Sequence, residues 1–231
     1  DKVTGVQLRD GTLVMTDQVI LSVPHHRVAN LLPESLARHP QIAALEQLDT
    51  APIAAVHLWL DRPLTDLPHA VLVGRLGQWL FRRESPTANG DYVQVVISAA
   101  RHVTQQDRQD VIDEVTEELR GVWPKSAGFR VLRSRLVIEH RAVLSPRPGS
   151  ESSRPGAITP WPGLFLAGDW TQTGWPSTME GAVRSGLTAV ESLLAVRGTP
   201  IQLQPPALPA GRLARFLLPI DSRTTPQPTA P

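Results

Sequence analysis

A carboxylate follows a buried strand near the C-terminal end of the chain. Leu164–Ala167 is a short apolar run, typical of a strand covered on both faces. Gly168 ends the run and Asp169 comes directly after it. A carboxylate at the end of a strand is well placed to bind the hydroxyls of a ribose or ribityl chain. The same spacing also fits a strand and a loop that bind no ligand.

A helix is predicted after the loop that follows this carboxylate. Ser177 and Glu180 have the spacing of a capping box, which predicts a helix beginning at about Thr178. The first-turn N–H groups of such a helix can hold an electron-rich group, such as a phosphate or the pyrimidine edge of a flavin. Small residues along one side would let a flat ligand approach closely. They are Gly181, Ala182, Ser185, Gly186 and Ala189.

The segment GDWTQTGWPSTMEGAVRSG, residues 168–186, resembles the C-terminal FAD-binding signature of flavin amine oxidases and phytoene desaturases. Extended upstream to Pro162, it resembles the hydroxysqualene dehydroxylases of that superfamily. The resemblance implies FAD as the cofactor, with Asp169 at the flavin side chain and the helix start at the pyrimidine edge. The implied cofactor-binding residues are Gly168, Asp169, Thr178, Met179, Glu180, Gly181 and Ala182.

A second resemblance lies in residues 51–64, APIAAVHLWLDRPL, which are predicted as a strand and a turn. The segment is similar to the PIxxVHLWxDRP stretch of hydroxysqualene dehydroxylases. In flavin amine oxidases the matching strand carries a lysine near the flavin, and this chain has Ala55 there. Amine oxidases often have an aromatic residue before the signature methionine, where this chain has Thr178. Both differences argue against amine oxidation.

The resemblance implies an FAD-dependent oxidoreductase acting on a long isoprenoid, most specifically reductive dehydroxylation of hydroxysqualene to squalene for hopanoid or sterol synthesis. A carotenoid desaturase of the phytoene type is the alternative, and a flavin amine oxidase is a further one. Removal of a hydroxyl group needs an acid near the flavin, and the candidates are His57 and Asp61. A hydrogen-bonded place within the sheet is the simpler interpretation of His57.

Aromatic residues in the predicted strands and in the signature loop are candidates for substrate binding, because burial of apolar area favours an isoprenoid. They are Trp59, Trp79, Phe81 and Trp175. Ordinary core packing would also explain aromatic residues in these strands. Arg154, in the loop before the signature, is expected either to contact the cofactor or to brace that loop.

Hydrophobic periodicity predicts the elements that position these residues. A hairpin turning at Asp10–Gly11 and a strand over residues 19–24 open the chain. Further strands are predicted in residues 70–103 and 129–143. The clearest amphipathic helix is predicted over residues 104–121, with Thr104 as its N-cap.

These elements predict an α/β fold with mixed sheets. It would consist of an incomplete Rossmann-like FAD domain, related to that of glutathione reductase, and a mixed-sheet substrate domain. Residues 1–24 and 136–197 are assigned to the FAD domain, and residues 25–135 to the substrate domain. Residues 198–231 hold eight of the 22 prolines and are predicted as a disordered or weakly docked tail. Basic and apolar residues around Leu213–Leu218 would allow peripheral contact with the inner face of the cell membrane.

Composition excludes several classes of function. The formal net charge of +1 predicts no nucleic-acid partner. The absence of cysteine excludes disulfides and thiolate metal sites, and fits a cytoplasmic protein. No apolar run is long enough to predict a membrane-spanning helix. His25 and His26 lack further ligands at a fitting spacing, so no metal is expected. The sequence leaves the oligomeric state open.

The glycine-rich turn that binds dinucleotides is missing from this sequence. No GxGxxG follows a predicted strand, and the chain begins with Asp1 rather than Met. In the family that it resembles, this turn lies near the N-terminus. The chain is therefore expected to be the C-terminal part of a longer protein, and on its own it would be an inactive fragment.

Overall fold

Nine strands and five α-helices lie within residues 2–84 and 90–205, which are the residues that the computed structural model describes. The strands are β1 (Gly5–Gln7), β2 (Leu13–Met15), β3 (Val19–Leu21), β4 (Thr50–Leu60), β5 (His69–Val71), β6 (Trp79–Glu84), β7 (Asp91–Ile97), β8 (Val131–Leu144) and β9 (Leu164–Leu166). The helices are α1 (His25–Val28), α2 (Glu34–Ala37), α3 (Pro40–Ala43), α4 (Arg108–Val122) and α5 (Met179–Val196).

A five-stranded antiparallel sheet forms the larger unit, with the strand order β5-β6-β7-β4-β8. One face of this sheet packs against α4. Leu58 and Val93 on the sheet, and Val115 and Leu119 on the helix, are completely buried in this core. The alternation of buried and half-buried residues along β4 matches the predicted pattern of a strand with one apolar face.

A parallel pair of strands forms the second unit. β3 pairs with β9 in the register Val19↔Leu164, and α5 follows β9 and packs against it through Ala189. The β1–β2 hairpin turns where Asp10–Gly11 predicts, and it forms a separate two-stranded sheet. The parallel strand–helix unit agrees with the predicted fold class, whereas the larger sheet, predicted as mixed, is antiparallel throughout the described residues.

Two predicted helix caps are wrong. The cap of α5 is Thr178, whose Oγ1 accepts from the Gly181 amide at 3.2 Å, whereas the Ser177 hydroxyl donates to the Asp169 carboxylate. An ionised acceptor forms the stronger hydrogen bond, so it outcompetes the capping position. The cap of α4 is Asp107 rather than Thr104, because a carboxylate accepts from the first-turn amides and also complements the helix dipole.

Two of the predicted domain boundaries can be compared with the observed elements. The division expected between residues 135 and 136 falls inside β8, which pairs with β4 on both sides of it. Residues 198–205, the start of the predicted tail, run back along α5, where the Glu191 carboxylate accepts from the Leu203 and Gln204 amides at 2.6 and 2.8 Å. The proposed membrane contact at Leu213–Leu218 lies outside the described residues. Within residues 2–84 and 90–205, no helix is long and apolar enough to cross a membrane.

Candidate flavin site and the open sheet face

The end of β9 is fixed to α5 and to the end of β3. Ser185 Oγ accepts from the Gly168 amide at 2.7 Å and donates to the Ala182 carbonyl at 2.6 Å. The Trp170 indole, which is buried, donates to the Val23 carbonyl at 2.9 Å. These contacts hold the Asp169 carboxylate between two strand ends and the first turn of the helix.

Glycine is required at two positions of this turn. Gly168 has φ +145°, and a Cβ there would lie 2.2 Å from Trp170 Nε1. A Cβ at Gly181 would lie 2.4 Å from the Pro176 carbonyl oxygen. Both glycines therefore allow the signature loop to fold tightly against the start of α5.

Arg154 braces the signature loop. Its guanidinium donates to the carbonyls of Asp169 at 2.9 Å, Thr171 at 2.6 Å and Trp175 at 3.1 Å, and to the Glu151 carboxylate at 2.8 Å. The side chain is buried, and its planar fork of donors suits several acceptors at once. Of the two roles expected for Arg154, the structure shows the bracing role.

The first turn of α5 presents free donors beside this carboxylate. The amides of Met179 and Glu180 form no hydrogen bond with any residue in the described part of the chain. Thr178 caps the next amide, and the helix dipole adds partial positive charge at this end. The turn is therefore able to accept an electron-rich group, as the signature predicts.

A pocket of about 240 Å³ opens beside the turn, at the point where β3, β8, β9 and α5 meet. Its lining includes Gly168, Asp169 and Ala182 from the signature, and His25, His26 and Arg141 from other parts of the chain. His26 Nδ1 is buried and has no hydrogen-bond partner among the described residues. An orphaned polar atom in a pocket with a carboxylate and free amides fits a polar ligand such as FAD.

Burial lowers the pKa of His25 in this pocket. Its ring is buried, and Nε2 lies 3.1 Å from the Leu48 carbonyl oxygen, a contact that only partly offsets the loss of solvation.

We expect this lowered pKa to make the protein less stable in mild acid. The unfolded chain binds a proton at His25 near pH 6.5 and the folded chain resists it, so the free energy of unfolding falls as the pH drops below about 6.5. Urea unfolding between pH 7.5 and 5 measures this slope. His25→Gln keeps a donor without the titration and should make the slope shallower, while the exposed control His69→Gln should not. Identical slopes for wild type and His25→Gln would contradict the prediction.

The sheet face opposite α4 is open and carries two aromatic pairs. Trp79 and Phe81 stack with their ring centroids 6.0 Å apart, and they are 41% and 42% exposed. Trp59 and Tyr92 lie 5.1 Å apart on the neighbouring strands β4 and β7. Strand register puts all four on the same face, so three of the four predicted substrate-binding aromatics share one surface.

The fourth predicted aromatic lies elsewhere. Trp175 belongs to the signature loop, and its ring stacks on the Arg184 guanidinium of α5 at 4.4 Å. It is therefore a neighbour of the candidate flavin site rather than of the open face.

His57 lies on the open face with a polar partner. Its Nδ1 is 2.6 Å from the Tyr92 hydroxyl, and the two rings are nearly parallel. Partial burial and the Arg135 guanidinium lower the pKa of His57, so the imidazole is neutral near pH 7. Whichever of the two groups donates to the other, one donor proton of the pair is left for a further acceptor.

Asp61, the second candidate acid, is held as a carboxylate. It accepts from the Arg130 amide at 2.8 Å and from the Arg130 and Arg62 guanidinium groups. The Arg130 amide above all, and then the two guanidiniums, hold the pKa of Asp61 far below its usual range. Asp61 is therefore unsuited to donate a proton near neutral pH.

The sequence alone does not single out Tyr92 or Arg141, and it offers His26 only as a metal ligand without further ligands at a fitting spacing. Tyr92 is opposite Trp59 in the β4–β7 register, and Arg141 comes from the far end of β8. The alternation in β7 indicates which side of the sheet Tyr92 faces, but only the strand pairing brings it to His57.

A match over most of the chain decides the family. Residues 1–194 match the family of flavin-containing amine oxidoreductases. The chain belongs to this family. Membership confirms the predicted superfamily and its FAD cofactor, for which Asp169, the free amides of α5 and the adjoining pocket supply fitting groups.

Named members of the family share most of the chain. A hydroxysqualene dehydroxylase of Zymomonas mobilis is 29% identical over 188 residues, which cover 81% of this chain and 41% of that protein. A 15-cis-phytoene desaturase of Solanum lycopersicum is 27% identical over 199 residues, covering 81% of this chain and 34% of that protein. The chain thus spans about two fifths or less of the length of these relatives.

A solved structure shows the same fold. The cyclohexylamine oxidase of Brevibacterium oxydans superposes with a TM-score of 0.61 at 13% sequence identity, over 81% of this chain and 44% of that one. The fold of this chain is therefore also the fold of part of that oxidase.

Proposed function

We propose that the complete protein carrying this chain is an FAD-dependent oxidoreductase that removes the hydroxyl group of hydroxysqualene to give squalene. The observation that carries the proposal is the open sheet face, where aromatic rings lie on the same side of the sheet as one proton-donating pair. Trp59, Trp79 and Phe81 provide apolar area for a long isoprenoid. The relatives named hydroxysqualene dehydroxylase and phytoene desaturase support an isoprenoid as the substrate class.

Balanced chemistry requires one proton and one hydride. Reduced flavin, when bound, supplies the hydride. The hydroxyl group must leave as water, so a protein group has to protonate its oxygen as the carbon–oxygen bond breaks. We assign this proton to the His57–Tyr92 pair, which can release it from the Tyr92 hydroxyl or from His57 once that ring has taken up a proton, because Asp61 is held ionised by its arginine partners.

The aromatic rings have a second role in this proposal. Loss of water leaves positive charge on the allylic carbon, and the faces of aromatic rings attract cations. Trp59 already carries the Arg133 guanidinium over its ring at 4.8 Å. The Trp79–Phe81 pair has no such cation among the described residues, so it is the surface we assign to the developing charge.

The deciding experiment uses the complete protein with its flavin reduced under anaerobic conditions. We expect added hydroxysqualene to reoxidise the flavin and to yield squalene in equal amount, measured by absorbance and mass spectrometry. Reoxidation without squalene would overturn the proposal.

A phytoene-type desaturase is the second candidate, because that relative covers the same stretch of the chain. Bleaching of the oxidised enzyme by phytoene would establish it instead.

His57→Gln tests the proton donor. We expect turnover of hydroxysqualene to fall about 100-fold, as is typical when a general acid is lost, while FAD stays bound. Tyr92→Phe should lower turnover by a smaller factor, because the His57 imidazole is still present. It should also shift the pH profile of turnover. The exposed His140→Gln is the matched control and should retain wild-type turnover. Turnover within twofold of wild type for His57→Gln would refute the assignment.

A further inference from the structure

The pocket beside the signature turn is also lined by an arginine and a histidine that the resemblance does not include. Arg141 comes from β8 and His26 from α1, and both line the pocket together with Asp169 and Ala182. Neither residue belongs to the signature segment. A role for these two residues rests on the assignment of the FAD site to this pocket and not on the identity of the substrate.

The side chains of Arg141, which is exposed, and of His26, which is half-buried, have no partner in the described part of the chain. The Arg141 guanidinium forms no hydrogen bond or ion pair with a residue in the ranges 2–84 and 90–205, where only its backbone amide donates, to Glu139. His26 Nδ1 is buried without a partner within the same ranges. Asp169, the carboxylate that lines the pocket, already accepts from the Ser177 hydroxyl. Arginine is a donor to anions, and a neutral imidazole beside it adds a second donor when its Nδ1 carries the proton.

Two further charges near the pocket have opposite signs. Arg27 is next to His26 and adds positive potential, whereas Glu139 adds negative potential. Partial burial and Arg141 lower the pKa of His26, and burial lowers that of His25, so both rings are neutral near pH 7. Arg141 is therefore the fixed cation of the pocket lining.

We propose that Arg141 and His26 hold an anionic group of bound FAD. Two parts of FAD carry such charge: its ring system after reduction, and its diphosphate. The pocket adjoins the first turn of α5, where the signature predicts the pyrimidine edge, so we assign the pair to the reduced ring. A fixed cation there stabilises the reduced form more than the oxidised form and raises the midpoint potential.

Arg141→Met in the complete protein tests the proposal by potentiometry. We expect the affinity for reduced FAD, relative to oxidised FAD, to fall about tenfold, which corresponds to a midpoint potential about 30 mV lower for a two-electron couple. Arg141→Lys retains the charge and should restore most of the wild-type potential. His26→Leu should lower the potential by a smaller amount.

Arg27→Met is the matched control, because it removes an exposed cation next to His26 that does not line the pocket. Equal losses of affinity for oxidised and reduced FAD in Arg141→Met, with the potential unchanged, would assign the pair to the diphosphate. Wild-type potential and affinity in Arg141→Met, or an equal change in Arg27→Met, would overturn the proposal. If Arg141→Met does not fold, the comparison of His26→Leu with Arg27→Met still decides, since the proposal predicts a lower potential for His26→Leu and no change for Arg27→Met.

Discussion

Asp169→Ala is expected to weaken FAD binding about 30-fold. Hydrogen bonds to an ionised group contribute about 1.5–3 kcal/mol each, and about 1.4 kcal/mol corresponds to a tenfold change in affinity. Asp169 is held in place by Ser177 at the junction of β9 and α5, so its loss removes an acceptor already positioned for cofactor hydroxyls. Titration of the apoprotein with FAD, followed by flavin fluorescence, measures the effect.

Two further variants separate charge from structure in this experiment. Asp169→Asn keeps the shape and loses the charge, and we expect it to bind between wild type and Asp169→Ala. Asp17→Ala removes an exposed carboxylate before the neighbouring strand β3 and should leave the affinity unchanged. The role of Asp169 would be refuted by an affinity of Asp169→Ala equal to that of Asp17→Ala.

Arg154→Ala is expected to lower the free energy of unfolding by about 3 kcal/mol. The substitution leaves three loop carbonyls without their donor, in a place where the removed side chain was buried. Because the same loop carries Asp169 and leads into α5, FAD affinity should fall as well. Urea unfolding and flavin titration of one preparation measure both effects.

Arg147→Ala provides the comparison for Arg154→Ala. Arg147 is exposed and pairs with Asp49 at the surface, so its loss should cost less than about 1 kcal/mol. Arg154→Lys should recover only part of the stability, because one ammonium group cannot reach acceptors on opposite sides of the loop. A cost for Arg154→Ala no greater than that for Arg147→Ala would contradict the bracing role.

The elements were predictable because their patterns are local. Alternation in β4 and the amphipathic period of α4 each report which residues face a core, and the structure places both elements against each other. The signature predicted the strand, loop and helix around Asp169 for the same reason. The cap of α5 was mispredicted because Ser177 had a stronger acceptor eight residues earlier, which spacing alone does not reveal.

The pairings that build the sites were not predictable, because they join distant parts of the chain. His57 meets Tyr92 across the β4–β7 register, and His26 shares a pocket with Arg141, more than a hundred positions away. The sequence allows two roles for Arg154, and only the loop carbonyls that surround it in the structure distinguish them. The type of a polar residue determines which hydrogen bonds its side chain can form, but only the tertiary arrangement determines which partner it has.

The parallel pairing of β3 with β9 also has a consequence for the order of folding. Val19 reaches Leu164 only after the whole antiparallel sheet between them has been synthesised. Closing so long a loop is entropically costly, whereas β6, β7 and their neighbours pair at short sequence separation. We therefore expect the sheet with α4 to fold first and to shorten the loop that β3 and β9 must close. The cofactor turn would then be among the last parts to form, and substitutions that slow sheet formation would delay flavin capture without touching a single flavin contact.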